Sequence, residues 1–139
     1  MRDEIQTGIQ LHSTASASAS YVILSCKTPA RLHSYFATHA IGFKQVTGCY
    51  KGEEEISYII NAKYFPTLKL SGIIDDQESV LVLSDWKGSL RGCRHAALHF
   101  LDGSLPVSLG RLVSTSEEDA LECDAWTRDT DGQYFITKA

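Results

Sequence analysis

A long hydrophobic run is missing from this 139-residue sequence. No stretch approaches the roughly 20 apolar residues of a membrane span. Met1 to Leu11 carries Arg2, Asp3 and Glu4 and holds no apolar segment of signal-peptide length. The expectation is a cytoplasmic protein with no membrane partner. A positive charge excess is missing too. Thirteen Lys and Arg stand against seventeen Asp and Glu, for a formal net charge of −4. Phosphate-backbone binding usually shows as a Lys/Arg excess, so nucleic acid is not expected as the main partner, although a local basic patch fits this balance.

Close cysteine pairs are also absent. Cys26, Cys49, Cys93 and Cys123 lie far apart and form no C-x-x-C, whereas zinc sites usually show close ligand pairs. Cys93 and His95 are near each other, but that spacing on a strand is also what a buried thiol beside a histidine gives. The cysteines are read as reduced and structural, with no metal. His95 and His99 share a strand face about 13 Å apart, at roughly 3.3 Å per residue, too far to hold one ion. No phosphate loop, G-x-G-x-x-G, H-E-x-x-H or G-x-S-x-G occurs.

What is present is an ordinary globular composition, 43% hydrophobic and 22% charged, at a length suited to one core. Ser13 to Ser20 is a low-complexity run of small residues. Residues 1–20 are therefore read as a flexible arm and residues 21–139 as a single domain. Tyr21-Val22-Ile23-Leu24-Ser25-Cys26 is a nearly continuous apolar strand, the pattern of a strand covered on both faces. Thr28-Pro29 then opens a helix as N-cap and first-turn proline. Leu32, Tyr35, Phe36 and His39 form its apolar stripe, and Gly42 follows its end.

Phe43–Tyr50 and Glu55–Ile60 form a hairpin around Lys51-Gly52-Glu53. A second, weaker helix spans Tyr64–Ile74, with Pro66 in its first turn and Gly72 weakening it. Ser79–Leu83 is a strong strand, Asp85–Arg94 a loop, and Ala96–Leu101 another strand closed by Asp102-Gly103. The last third reads as trimming on this core. Leu109–Val113 is a candidate strand, Ser116–Ala120 a short helical turn, and Asp131-Gly132 the turn of a C-terminal hairpin. The result is an α+β domain whose core runs strand–helix–strand–strand–helix–strand.

The chemistry concentrates in Thr47-Gly48-Cys49-Tyr50-Lys51-Gly52-Glu53-Glu54-Glu55, which puts a phenol, an ammonium and three carboxylates on one hairpin. Strand alternation places Glu55, Ser57 and Ile59 on one face and Ile56, Tyr58 and Ile60 on the other. Two readings stand: a solvated acidic turn with Tyr50 as a half-buried strand aromatic, or a hairpin whose Glu55 points into a site or against a partner subunit.

The T-G-C-Y strand with Glu54-Glu55, Glu78-Ser79-Val80-Leu81-Val82-Leu83, His95-Ala96-Ala97-Leu98-His99-Phe100-Leu101-Asp102-Gly103 and Gly132-Gln133-Tyr134-Phe135 together resemble the small phage-encoded S-adenosylmethionine lyases, long called S-adenosylmethionine hydrolases. The resemblance runs in order over roughly residues 21 to 137, and T-G-C-Y is its most specific element. The hairpin after Tyr50 is shorter here than in longer family members.

The resemblance implies a ferredoxin-like (βαββαβ), PII-like antiparallel sheet with two helices on one face, carrying a C-terminal β-hairpin extension. It implies a homotrimer with the substrate bound between subunits, in a host cytoplasm, with antirestriction as one biological consequence. The implied reaction cleaves S-adenosylmethionine to methylthioadenosine and homoserine lactone without cofactor or metal. Carried over residue by residue, Glu55 matches the family's essential carboxylate and Tyr50 the tyrosine of T-G-C-Y, both as catalytic residues. Thr47, Gly48, Cys49, Glu54 and Glu78 fall in the substrate-binding set, with backbone groups of residues 47–52 reading the adenine. Two other functions fit the same residues: a PII-like sensor that binds S-adenosylmethionine or a nucleotide without turnover, and a small phage accessory protein whose acidic hairpin meets a protein partner.

Overall fold

The computed structural model describes residues 20–74 and 77–139. Apart from Ser20, the expected N-terminal arm lies outside them. The elements are β1 (Ser20–Ser25), α1 (Pro29–Thr38), β2 (Lys44–Tyr50), β3 (Glu53–Asn61), a 3-10 turn (Ala62–Tyr64) leading into α2 (Phe65–Leu70), and β4 (Ser79–Ser84). Then come a second 3-10 turn (Leu90–Gly92), β5 (His95–Phe100), β6 (Val107–Thr115), α3 (Glu117–Leu121), β7 (Ala125–Arg128) and β8 (Tyr134–Lys138).

All neighbouring strands are antiparallel, and the eight close into a barrel in the order β1-β3-β2-β7-β8-β6-β5-β4. This overturns the ferredoxin-like, PII-like expectation. In an open four-stranded sheet, β2 and β4 would be free edges. Here β2 takes β7 as a second neighbour, from Thr47↔Arg128 to Tyr50↔Ala125, and β4 takes β5, from Ser79↔Phe100 to Ser84↔His95. The last third therefore supplies three of the eight strands of the barrel wall, β6, β7 and β8, and is no trimming. Closure satisfies backbone groups that an open sheet leaves unpaired.

Period-2 alternation sorts the wall into two apolar layers. Ile23, Val46, Ile59, Leu83, Ala96, Leu112 and Phe135 fill the interior. Val22, Leu24, Tyr58, Ile60, Val80 and Val82 point outward and are covered by Leu32 and Phe36 of α1 and Phe65 and Leu68 of α2. That double cover is why β1 and β4 read as continuous apolar runs. A third, smaller cluster sets Ala120 of α3 on Trp126 and Tyr134, with Cys49 and Ile136 beside it.

Local chemistry departs from expectation at both ends of α1. Pro29 takes the first turn, but Thr28 makes no side-chain cap; its N–H and hydroxyl instead lie 3.4 and 3.5 Å from Cys26 Sγ. At the other end Ala40, two residues before Gly42, adopts the left-handed conformation at φ 53°. The Ile41 N–H then donates to the Phe36 carbonyl at 2.9 Å and the Ala40 N–H to that of Ala37 at 3.3 Å. This is a Schellman closure with Ile41 folded onto Phe36 in the outer cluster. The second helix is shorter than expected and ends at Leu70, with Gly72 at φ 81° beyond it.

Candidate active site

The β2–β3 hairpin stands at one end of the barrel. Its turn is two residues, Lys51-Gly52, both left-handed at φ 53° and 84°. Positive φ at both central positions is the type I′ pattern, whose twist suits paired strands. The register that follows is Tyr50↔Glu53, Cys49↔Glu54 and Gly48↔Glu55.

That register divides the expected site residues into two sets. Gly48, Tyr50, Glu53 and Glu55 share the inner face with Ser57 and Ile59, while Thr47, Cys49, Glu54 and Ile56 share the outer face. Among the three consecutive acids, Glu53 and Glu55 thus lie on the barrel-mouth side. Glu54 points away, its Oε1 3.9 Å from an Arg128 Nη. Cys49 packs with Trp126 and Tyr134 and is structural in this position.

Above the apolar interior the wall turns polar. Ser57 and Thr127 are buried there, and Glu55 comes next on the same face, exposed. Gly48 lies opposite Glu55, and a Cβ there would sit 2.7 Å from Ser57 Oγ, so a larger residue would have to displace that buried hydroxyl. Tyr50 is 62% exposed, so its ring has no packing partner that would make it a half-buried strand aromatic; Lys51 Nζ lies 5.3 Å from its centroid. Glu78 reaches the same end of the barrel from another strand. It is exposed just before β4, its carbonyl accepts the Leu101 N–H at 3.1 Å, and the preceding Gln77 amide donates to the Ser25 carbonyl at 2.5 Å.

Much of the backbone expected to read the adenine, residues 47–52, is engaged within the barrel. The backbone of Thr47–Tyr50 pairs with β3 on one side and β7 on the other, and the Lys51 N–H donates to Asp124. The structure adds Arg128, from β7. Its Nη1 donates to the Tyr134 hydroxyl at 3.0 Å, an interaction that holds the guanidinium more firmly protonated, and it lies over the Trp126 ring at 5.7 Å. An arginine in a short strand carries no local mark of a partner on a distant hairpin.

Among the described residues, no three His, Cys, Asp or Glu side chains gather as metal ligands, all four cysteines are free, and no helix is long and apolar enough to cross a membrane. No protein-family model and no curated protein matches the chain.

Proposed function

We propose that this protein is an S-adenosylmethionine lyase acting at the hairpin end of the barrel, with Glu55 and Tyr50 as its central residues. The observation that carries the reading is their shared inner face: a carboxylate and an exposed phenol project together over a rim where Gly48 contributes no side chain. The resemblance of Thr47–Tyr50 and its following segments to the lyase family supports the same assignment. Both side chains are exposed in a single chain, which suits a pocket completed by a neighbouring copy, and the proposal includes a homotrimer with the substrate between subunits.

The chemistry asks little of the protein. The substrate carries a sulfonium cation and its own carboxylate. A carboxylate oxygen attacks Cγ, the Cγ–S bond breaks with its electron pair going to sulfur, and neutral methylthioadenosine leaves as the five-membered lactone closes. Opposite charges vanish in the transition state, so water, which stabilises the separated ions, slows the step. A partly apolar pocket that folds the substrate into a near-attack geometry speeds it. No general base or metal is required. Glu55 would accept hydrogen bonds from the ribose hydroxyls or the ammonium group, Tyr50 would pack on the substrate, and Glu78 would hold the amino-acid end.

The test is to incubate the purified full chain with S-adenosylmethionine and to separate methylthioadenosine by chromatography. Product is expected from the unaltered chain. Glu55→Gln is expected to lose about a hundredfold or more in turnover, as when a charge-assisted contact is removed, while Glu118→Gln, on the exposed side of α3, keeps it. Full activity in Glu55→Gln would exclude the assignment. Binding without product would favour a sensor, and neither binding nor product an interaction protein.

A further inference from the structure

The barrel wall is loosely joined at β5 and β6, a seam that leaves most of β6 unpaired on one side. β5 and β6 pair only at Ala96↔Gly110, Ala97↔Ser108 and Leu98↔Val107, with a bulge between Ala96 and Ala97. Beyond Gly110, β6 continues along β8 from Arg111↔Lys138 to Thr115↔Tyr134 but has no strand on its other side. The Leu90–Arg94 segment lies there instead, and no backbone hydrogen bond joins it to residues 111–114. Between them is a shallow groove, open to solvent, of about 630 Å³.

Its lining is cationic. Arg91, Arg94 and Arg111 face it with Cys93, Leu112 and Ser114, and no carboxylate contributes. Among the described residues none of the three arginines forms an ion pair. The stretch from Asp85 to His95 holds Lys87, Arg91 and Arg94 against one acid, Asp85, whose charge reaches Cys93 but which is not part of the lining, in a chain with net charge −4. In the β7–β8 turn, Asp129 is committed to the N–H groups of Asp131 and Gln133.

The segment is also held in place. Leu90 is fully buried, Ser89 Oγ accepts the Arg91 N–H at 3.2 Å, and Cys93 Sγ lies 3.7 Å from the Ser84 carbonyl and 3.5 Å from that of His95. Leu90 and Cys93 act as inward anchors, so Arg91 and Arg94 project outward from a fixed turn. Arg91 is braced further by donating to Gln133 Oε1 at 2.5 Å. Guanidinium forks on a rigid frame suit the oxygens of a phosphate group.

We propose that this seam binds a small phosphate-bearing anion, on the side of the barrel wall across from the β2–β3 hairpin that carries Glu55, and independently of the lyase reading. The test is calorimetric titration of the full chain with inorganic triphosphate and, in a second arm, with a nucleoside triphosphate. Saturable binding at one site per chain is expected. Arg94→Ala and Arg111→Ala should each weaken it about tenfold, as for loss of one charge-assisted contact. Lys87→Ala, outside the lining, should change it by less than about twofold. Tighter binding in the second arm identifies a nucleotide as the ligand, and equal binding assigns recognition to the phosphates alone. Absence of saturable binding, or an equal loss in Lys87→Ala, would overturn the proposal. Glu55→Gln should bind the anion unchanged, which separates this site from the lyase site.

Discussion

The half of the barrel wrapped by α1 and α2 and the half wrapped only by α3 stay closed by different means. In the first, β3, β1 and β4 bury side chains on both faces, so every second residue packs inside and the alternate ones pack under helices. Each strand there is held by two apolar layers. In the second, β6 offers Leu112 to the interior and exposes Arg111 and Ser114. Its position depends on backbone geometry at the β5–β6 bulge. The thin half is where the wall parts, and it is where we place the anion site.

The sharpest way to break this comparison is Gly110→Ala. Gly110 is left-handed at φ 91°, and a Cβ there would run into the Lys138 carbonyl and Ala139. A left-handed alanine alone costs about 1–2 kcal/mol, and displacing β8 adds to it, so a loss of about 3 kcal/mol or more is expected from urea unfolding. Gly52→Ala is the control. It has φ 84° but nothing within 4 Å of an added Cβ, so it should show only the conformational cost. Equal losses for the two variants would mean that Gly110 is a turn residue and that the thin half closes by side-chain packing after all.

Alkaline pH probes both halves at once. Burial pushes the Tyr58 hydroxyl up from its ordinary 10.0 in the helix-covered half, with Cys26 adding to the effect. Burial likewise raises the Cys93 thiol from 9.0 at the seam, against the opposing backbone hydrogen bonds of His95 and Ser84 and with the Asp85 charge adding to the rise. In both groups the folded chain keeps a proton that the unfolded chain releases at the ordinary value. The stabilisation is complete below that value and declines as pH rises through it, at up to about 1.4 kcal/mol per pH unit for each group. Unfolding free energy should therefore fall from about pH 9, as Cys93 ionises in the unfolded chain, and fall more steeply from about pH 10. Cys93→Ala should remove the first part of the slope and Tyr58→Phe the second. His33, whose Nε2 lies 3.0 Å from the Tyr58 hydroxyl, is exposed and can turn to water in the latter variant.

The same contrast governs how much was legible in the sequence. Strands covered on both faces announce themselves as apolar runs, and the order of the first six elements follows from them. The turn is readable from its glycine, though as Lys51-Gly52-Glu53 and so one residue longer than it is, and alternation alone puts Glu55 with Ser57 on one face. Closure was not readable. β2 carries no local mark that its second edge meets β7, and a strand in a barrel has the same period as one in an open sheet. Gly110 inside a strand was the one available signal of a bulge, and it lay in a segment read as trimming. The Glu54–Arg128 pairing was hidden for the same reason, since it exists only once β2 and β7 are neighbours.

The smallest expected effect sharpens the comparison from the helix-covered side. Ala40 holds a left-handed conformation so that Ile41 can fold onto Phe36 and end α1. Gly42, two residues on, does not take that role. Alanine tolerates this geometry at a cost, and glycine there would relieve it while making the unfolded chain more flexible. The two terms oppose each other, so Ala40→Gly should stabilise by only about 0.5–1 kcal/mol, read as a rise in urea midpoint at unchanged slope. Because Ile41 and Phe36 pack in the outer cluster and touch none of the interior, the gain should leave anion binding at the seam untouched. A loss of stability instead would mean that the packing around Ile41 depends on the Ala40 methyl, and that the helix cover contributes through side chains right up to its last residue.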